Sequence, residues 1–241
     1  MLAAERRKII LEKLQSEKKV IVHDLSELFG VSDETIRRDI DRLCQEGLAI
    51  KEYGGAILNE KGPDLPFNVR KVHNPEAKKR IADTVETLVN DGDSIMLDAS
   101  TTAVFVARAL KTKKRLHVVT NSIEVMMELC DMPDWTVISA GGKLWGDYLA
   151  FFGERTVAGI SAFRVDKVIF SCKGFDPAQG MFDGEDAFAQ VKRAMMKNAK
   201  TKILAVDSSK FEKAAFSKIA ATEDVDVIVT EEGLFTSSAT V

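Results

Sequence analysis

The feature that most limits how this chain can fold is an alternation of short apolar runs with amphipathic helical segments, which begins at about residue 77. The runs that can form strands are residues 94–98, 116–120, 135–140, 168–172, 203–207 and 225–230. Helical segments fall at residues 78–89, 102–110, 123–129, 154–162 and 185–199. Apolar strands separated by helices are typical of βαβ units, whose parallel sheet is covered on both faces. The pattern therefore predicts an α/β domain over residues 77–241.

The first 57 residues follow a different pattern, in which three short helical segments precede a pair of glycines. The first two segments cover about residues 4–14 and 24–29, and Gly30 then allows a tight turn because glycine tolerates positive φ. Ser32 suits the N-cap of the third segment. Apolar residues recur there at helical spacing, at Ile36, Ile40 and Leu43. A second helix after a tight turn, with its arginines outside the apolar stripe, is the layout of a helix-turn-helix.

A small β-wing is predicted immediately after this helix, over residues 48–56. Gly54 and Gly55 permit either a tight reversal or a close approach of the backbone to a phosphate. Arginines of the helix can bond phosphates or the O6 and N7 atoms of guanine, and hydroxyls at a helix N-terminus can lie near phosphates. The residues predicted to contact double-stranded DNA are Ser32, Thr35, Arg37, Arg38, Arg42, Lys51, Gly54 and Gly55.

Charge alone does not decide whether this face meets DNA. Residues 1–57 contain ten lysines and arginines against eleven aspartates and glutamates, and the whole chain has a formal net charge of −3. Arg38 and Arg42 are also spaced to pair with carboxylates of the same helix, at Asp39, Asp41 or Glu46. On composition, a solvated and salt-bridged helix face therefore remains an alternative.

Polar residues, glycines and lysines follow the predicted strands of the second block. Residues 99–102, Ala-Ser-Thr-Thr, open a helix after the strand at 94–98, so backbone N–H groups and the helix dipole can hold an anion. Because the carboxyl ends of parallel strands meet at one edge of a sheet, the other strand ends should line the same crevice. The residues predicted to bind a phosphorylated sugar there are Asp98, Ser100, Thr101, Thr102, Asn121, Gly141, Gly142, Lys173, Asp176 and Lys210. Taken singly, each has a simpler explanation as a helix cap, a turn glycine or a solvated residue.

Four residues that break regular structure, Gly62, Pro63, Pro66 and Pro75, mark residues 58–76 as a linker between the domains 1–57 and 77–241. The three cysteines and three histidines are dispersed, so neither a metal site nor a disulfide framework is expected, and no cofactor is implied. The charged N-terminus lacks the apolar core of a signal peptide, and no apolar run approaches the length of a membrane span. These features predict a cytoplasmic protein.

The order of residues in the first block resembles the DeoR family of bacterial helix-turn-helix regulators. The matching positions run from the first helix to the wing: Arg7, Ile10, Leu14, Leu25, Phe29, Val31-Ser32, Thr35-Ile36-Arg37-Arg38-Asp39-Ile40, Leu43, Gly47 and Gly54-Gly55-Ala56. The run Val-Ser-x-x-Thr-Ile-Arg-Arg-Asp-Ile, followed at this distance by Gly-Gly-Ala, is specific to that family. One departure is in the wing, where Lys51 replaces the usual arginine and Glu52-Tyr53 replaces a more basic pair.

The second block also resembles that family, whose sensor has the fold of sugar-phosphate isomerases and deaminases. The matching runs include Asp98-x-Ser100-Thr101-Thr102, Val119-Thr120-Asn121-Ser122, Gly174-Phe175-Asp176, Val191-Lys192-Arg193-Ala194-Met195-Met196 and Asp207-Ser208-Ser209-Lys210-Phe211. The resemblance implies that residues 100–102 and Lys210 hold the phosphate. The sequence departs from the family at Ala99-Ser100 and at residues 171–173. Near the expected crevice, Lys173 and Phe151-Phe152 are hypothesised to influence effector choice.

Three functions follow from these observations. The first is a transcriptional regulator of a carbohydrate operon, by family habit a repressor, which acts on DNA as a dimer or tetramer and responds to a phosphorylated sugar. The second is a sugar-phosphate isomerase or deaminase, for which Asp176 and Glu185 are the candidate bases. The third is a scaffold whose helix-turn-helix contacts only proteins. The resemblance favours the regulator, without enzymatic activity.

Overall fold

A computed structural model describes residues 1–59 and 67–235 of the chain. The chain forms two compact units, Met1–His73 and Asn74–Val241. Within the described residues, each unit has a hydrophobic core of its own. The sequence-based expectation of a helical N-terminal block followed by an α/β block is confirmed.

The first unit combines helices with a three-stranded antiparallel sheet. Its elements are α1 (Ala3–Glu17), β1 (Lys19–Ile21), α2 (Val22–Phe29), α3 (Asp33–Gln45), β2 (Ala49–Glu52), β3 (Gly55–Leu58) and α4 (Phe67–Val72). The sheet order is β1-β3-β2, with β2 and β3 forming the predicted wing. Helix α2 ends at Gly30, whose φ of 62° is left-handed, and Ser32 caps α3 by accepting from the Thr35 N–H at 3.3 Å.

The predicted apolar stripe of α3 is the centre of this unit. Ile36, Ile40 and Leu43 are at most 2% exposed and pack with Ile10 from α1 and Leu25 from α2. Burial of this stripe turns the opposite side of α3 towards solvent. Strand β1 was not predicted, although it pairs Val20 with Ala56 and completes the sheet.

The second unit is built on a seven-stranded sheet with the order β15-β14-β12-β9-β4-β5-β6. Its parallel strands are the six predicted ones: β4 (Ser94–Leu97), β5 (His117–Thr120), β6 (Thr136–Ser139), β9 (Val165–Phe170), β12 (Ala199–Ala205) and β14 (Val227–Thr230). The helices are α5 (Pro75–Thr87), α6 (Thr101–Ala109), α7 (Ile123–Leu129), α8 (Glu154–Ser161) and α9 (Asp186–Lys197). All five lie where the sequence pattern placed them, to within a few residues.

Six short strands were not predicted. They are β7 (Lys143–Trp145), β8 (Ala150–Phe152), β10 (Gly174–Asp176), β11 (Gly180–Asp183), β13 (Ser217–Ala220) and β15 (Gly233–Phe235). Strand β15 adds an antiparallel edge to the main sheet, β7 and β8 form a hairpin, and β10, β11 and β13 form a small antiparallel sheet. Each of them pairs antiparallel with its neighbour, so none belongs to the βαβ pattern from which the parallel strands were predicted.

The predicted linker, residues 58–76, is partly regular structure. Gly62, Pro63 and Pro66 lie outside the described residues. Residues 67–72 form α4, and Pro75 is the first residue of α5. Proline suits this position because the N–H it lacks would have no partner within the helix. In the part of the chain that the structure describes, no helix has the length and apolar character needed to cross a membrane.

Candidate DNA interface and effector site

The outward side of α3 carries the arginines that the sequence predicted. The side chains of Arg37, Arg38 and Arg42 are 53, 79 and 60% exposed. Ser32 and Thr35 lie at the N-terminus of the same helix, and their hydroxyl oxygens are 3.0 Å apart. The structure therefore brings these five predicted residues together on one solvent-facing helix.

Each of these arginines also has a carboxylate of its own helix nearby. Arg37 lies 3.7 Å from Asp33, Arg38 lies 3.4 Å from Glu34, and Arg42 donates to Glu46 at 2.8 Å. Exposed pairs four residues apart contribute only about 0.3–0.5 kcal/mol. A DNA phosphate or a guanine edge can replace such a carboxylate at little cost, so the salt-bridged face and the DNA-binding face are compatible.

Asp39 is not part of this solvated face, contrary to the alternative drawn from composition. It is 3% exposed and accepts from the Arg6 Nε–H at 2.5 Å and from Arg7 at 3.4 Å. Arg6 is itself 7% exposed, so the pair is a buried tie between α1 and α3. Sequence reasoning identified Arg7 and missed Arg6, although both precede the apolar stripe of α1.

Lys51 connects the wing to the same helix. Its Nζ lies 2.6 Å from the Asp41 carboxylate, and this hydrogen bond raises the pKa of Lys51 above its ordinary value. At the tip of the wing Tyr53 is fully exposed, and Gly54 has a φ of +76° that suits glycine.

Gly55 does not present its backbone to DNA as predicted. It is buried, and a Cβ atom added there would lie 2.0 Å from the Val20 carbonyl oxygen. The close approach that requires glycine is therefore to strand β1 of the same unit. The correction follows from β1, which the sequence analysis did not include.

The β4–α6 turn in the second unit is organised by Asp98 and Ser100. Ser100 caps α6 by accepting from the Ala103 N–H at 3.0 Å, and its hydroxyl donates to Asp98 Oδ1 at 2.6 Å. The simpler explanation, a helix cap, is therefore correct for Ser100. Among the described residues, the Thr101 and Thr102 hydroxyls have no hydrogen-bond partner, and they remain candidates for an anion at the α6 N-terminus.

Asp98 was predicted to bind sugar hydroxyls, and the structure corrects this. It is 1% exposed, and its second oxygen accepts from the Ser171 N–H at 3.2 Å. The Lys192 ammonium lies 3.3 Å from the same oxygen. Both carboxylate oxygens of Asp98 therefore have partners within the protein, Ser100 on one and Ser171 with Lys192 on the other. Asp98 positions the β4–α6 turn instead of facing a ligand.

Lys192 is the principal residue that the site analysis missed. Its Nζ donates to the Ser171 carbonyl at 2.6 Å and lies 2.7 Å from Asp183. Burial disfavours its charge, but the carboxylates of Asp183 and Asp98 outweigh that effect and raise the pKa of Lys192 above its usual range. A lysine inside the apolar stripe of an amphipathic helix, one turn after Phe188, was the available sign.

Lys210 lies in a 3-10 turn that directly follows strand β12. The preceding Asp207 is 3% exposed and accepts from Ser209 and from Asn74. Burial raises the pKa of Asp207, but the Ser209 hydrogen bond and the charge of Lys210 together lower it below the ordinary value. Burial raises the pKa of the Cys172 thiol beyond the end of β9, and the charges of Lys192 and, to a lesser degree, Lys210 oppose that rise.

The side-chain amide of Asn121, just after β5, has a hydrogen-bonded nitrogen and, among the described residues, an oxygen without a partner. It is 1% exposed, and its Nδ2 donates to the Phe151 carbonyl at 2.9 Å. Its Oδ1 has no hydrogen-bond partner among the described residues. A buried acceptor without a donor is costly, so this atom is suited to a ligand hydroxyl.

The other predicted residues have different surroundings. Gly141 and Gly142 follow β6 with φ of 64° and 119°, and a Cβ atom on Gly142 would lie 2.0 Å from Thr156 Oγ1. Lys173 is exposed.

Asp176 lies in the β10–β11 hairpin and not at a central strand end, and its carboxylate accepts from Ala178 and Gln179. These hydrogen bonds lower the pKa of Asp176, and the bond from the Ala178 N–H has the largest effect.

Comparison with known proteins covers both units. Residues 6–62 match a family described as the DeoR-like helix-turn-helix domain, and residues 73–232 match the DeoR C terminal sensor domain. An HTH-type transcriptional regulator of Bacillus subtilis, YulB, is 38% identical over 97% of this chain and 91% of its own length. The glycerol-3-phosphate regulon repressor of Escherichia coli is 32% identical, over 96% of this chain and 92% of its own. The solved structure of eIF2B delta from Chaetomium thermophilum has a TM-score of 0.50 at 14% identity, over 83% of this chain and 62% of that one.

Proposed function

The chain belongs to the DeoR family of DNA-binding transcriptional regulators, and from this premise we propose that it represses a carbohydrate-catabolism operon until a phosphorylated sugar binds its second unit. One observation carries the proposal. The same chain presents an outward arginine face on α3 and, after the strands of its α/β unit, a helix N-terminus, a lysine in the turn beyond β12 and an unpaired buried amide oxygen.

The DNA contact is assigned to α3 and the wing. Arg37 and Arg38 extend from the helix towards the major groove, where a guanidinium can bond guanine O6 and N7 in a bidentate way. Arg42 and Lys51 supply charge for backbone phosphates, and Ser32 and Thr35 bond a phosphate at the helix N-terminus. Since one short helix gives little affinity, we expect two copies of the chain to bind two half-sites one helical turn apart.

The effector contact is assigned to the ends of β4, β5 and β12. The α6 N-terminus with Thr101 and Thr102 receives the phosphate, and Lys210 supplies its counter-charge. Asn121 Oδ1 accepts from a sugar hydroxyl. An effector that binds more tightly to the DNA-free arrangement of the subunits shifts the population towards it and releases the operator.

The sensor is proposed to bind its sugar phosphate without converting it. A general base for isomerisation needs a pKa near the working pH. The hydrogen bonds from Ala178 and Gln179 hold the pKa of Asp176 below its ordinary value, which makes that carboxylate a weak base. Turnover of a sugar phosphate at high protein concentration that disappears in Glu185→Gln would overturn this part of the proposal.

The decisive experiment is a gel-shift titration of operator DNA with the Arg37→Ala/Arg38→Ala variant at several salt concentrations. We expect this variant to lose specific binding, whereas Arg42→Ala, which removes a phosphate contact, should decrease the salt slope by about one. Arg108→Ala/Lys111→Ala is the matched control, since it removes the same charge from exposed ion pairs of the second unit. Equal binding by the two double variants would exclude α3 as the DNA reader.

A further inference from the structure

A cluster of four aromatic rings lies in the second unit and includes Phe152, which the sequence analysis placed near the expected crevice. It comprises Trp145 and Tyr148 from the β7–β8 hairpin, Phe152 from β8, and Phe188 from α9. The Trp145 ring centroid is 5.4 Å from those of Phe152 and Phe188, and the Tyr148 centroid is 4.5 Å from that of Phe188. Most of these pairs meet edge to face, the arrangement that aromatic rings prefer.

The hairpin that carries this cluster is attached to the end of β5. The Phe151 N–H donates to the Asn121 carbonyl at 2.8 Å, and the Asn121 side chain returns a bond to the Phe151 carbonyl. The next residues continue the contact, since the Ile123 N–H donates to the Leu149 carbonyl at 2.9 Å. The aromatic cluster is thus tied directly to the residue whose buried amide oxygen is unpaired.

Helix α9 places the other side of the cluster beside the β4–α6 turn. Phe188 is one helical turn before Lys192, whose ammonium contacts Asp98 and the Ser171 carbonyl. Asp98 in turn accepts from Ser100, the cap of α6. Through these contacts the cluster is connected to the end of β5 on one side and to the turn to which the phosphate is assigned on the other.

Only part of the cluster faces solvent. Phe152 and Phe188 are 5 and 6% exposed, whereas Trp145 and Tyr148 are partly exposed. In the connection between β7 and β8, residues Gly146–Tyr148 form a 3-10 turn, and Leu149 has a left-handed φ of 50°. A non-glycine residue seldom adopts that φ, so the backbone that presents the two rings has a specific conformation.

We propose that Trp145 and Tyr148 form an aromatic wall for the carbon skeleton of the effector, while its phosphate occupies the α6 N-terminus. The C–H face of a sugar carries partial positive charge and packs on the negative face of an aromatic ring. Sites for small molecules typically combine such apolar walls with few polar groups, here Asn121 Oδ1 and the phosphate donors. The wall selects a pentose or hexose phosphate over inorganic phosphate or a short polyol phosphate. The inference rests on the proposed function of this unit.

Tryptophan fluorescence can test the wall because the chain has two tryptophans. The two tryptophans lie beyond opposite ends of β6. Trp135 directly precedes the strand, is 9% exposed and donates to the Lys113 carbonyl, whereas Trp145 lies after the strand. Trp135→Phe therefore leaves Trp145 as the reporter, and Trp145→Phe leaves Trp135. We expect a panel of pentose and hexose phosphates to change the emission of the first variant and not of the second. A change confined to Trp145→Phe would overturn the proposal.

Affinity separates the wall from the phosphate site. For the sugar phosphate of the panel that binds best, Trp145→Ala should weaken binding about tenfold, and Tyr148→Ala by a similar factor. Trp145→Phe keeps a ring and should stay within about threefold of the wild-type affinity. Inorganic phosphate should bind all of these variants equally well. Equal losses for inorganic phosphate and the sugar phosphate, or no loss for either, would overturn the wall.

The same titrations distinguish failure of the wall from failure of the proposed function. If wild-type protein binds inorganic phosphate and glycerol 3-phosphate as tightly as every pentose and hexose phosphate, the wall is excluded and the phosphate site stands. If it binds none of them, or if Lys210→Ala leaves all affinities unchanged, the phosphate site itself is excluded.

Discussion

Buried ionic groups at the residue scale determine how each site is positioned. Asp39 ties α3 to α1 through Arg6, and Lys192 ties the β4–α6 turn to the end of β9 through Asp98 and Ser171. In such a pair, removal of one partner leaves an uncompensated charge in a poorly solvated place. The cost of each substitution should therefore depend on the burial of the pair more than on its distance.

Asp39→Asn tests this for the DNA-reading helix. The variant keeps the shape of the side chain but leaves the Arg6 guanidinium without its carboxylate, so the unfolding free energy of the first unit should fall by about 3–5 kcal/mol. Asp33→Asn is the control, since Asp33 faces Arg37 with 43% of its side chain exposed, and it should change stability by less than about 1 kcal/mol. Urea denaturation followed by circular dichroism measures both. Similar losses in the two variants would contradict the burial argument.

The three cysteines should differ in reactivity, because thiolates react and thiols do not. Burial raises the pKa of Cys172 from 9.0 to about 12, whereas Cys130 is exposed. With an aromatic disulfide reagent at pH 8, Cys130 should react first and Cys172 only after denaturant is added. Raising the pH from 8 to 9 should leave the native Cys172 unreactive, since burial holds its pKa well above that range. A Cys130→Ser/Cys44→Ser variant that still reacts rapidly without denaturant would refute this order.

Residue types and spacing were sufficient to predict that Ser32 caps α3, that the α3 arginines face solvent and that residues 100–102 begin a helix after β4. Asp98 and Gly55 were assigned to ligand contacts because their packing partners are distant in sequence. Asp98 accepts from Ser171, 73 positions away, and Gly55 abuts the Val20 carbonyl. A local pattern contains no information on such contacts. It therefore cannot distinguish a residue that faces a ligand from one whose polar atoms or surrounding space are taken up by contacts within the protein.

At the scale of elements, the alternation of strands with helices decided which strands the sequence revealed. The six parallel strands each contain an apolar run, and helices separate the first five of them, which gives those strands clear boundaries. Strand β1 has three residues and becomes a strand only because it pairs with β3, as Val20 does with Ala56. The β7–β8 hairpin is equally short, so the sequence indicated Phe152 of the aromatic cluster as a residue near the crevice but did not indicate Trp145, Tyr148 or their contacts with Phe188.

The pairing of β1 with β3 predicts different effects for the two wing glycines. Gly55→Ala places a Cβ atom 2.0 Å from the Val20 carbonyl, so β1 must separate from β3 at a cost of about 1–3 kcal/mol. Gly54→Asn is the control: its φ is +76°, nothing lies within 4 Å, and asparagine tolerates this conformation. Thermal melts and operator affinity of both variants provide the measurement. Loss of DNA binding in Gly54→Asn with a stable Gly55→Ala would reverse the assignment.

At the scale of the whole molecule, each unit has its own hydrophobic core. The sequence placed a boundary near residue 77 because the pattern changes there, and the structure divides at His73 and Asn74. The difference arises at α4, whose six residues follow the proline-containing stretch and are too few to show a helical period. Separate cores mean that the two units can differ in stability, and that a ligand of one unit stabilises that unit directly.

Calorimetry should therefore show two unfolding transitions. Unfolding enthalpy is about 0.7 kcal/mol per residue, so the transition with the larger enthalpy belongs to the second, longer unit. A sugar phosphate at about one hundred times its Kd should stabilise that unit by about 2.7 kcal/mol and leave the smaller transition in place. Asp39→Asn should have the opposite effect and lower the midpoint temperature of the smaller transition alone. Because the proposed regulation acts on the arrangement of DNA-bound subunits, it does not require the effector to stabilise the first unit. A single transition moved by both the ligand and Asp39→Asn would show instead that the two cores unfold as one.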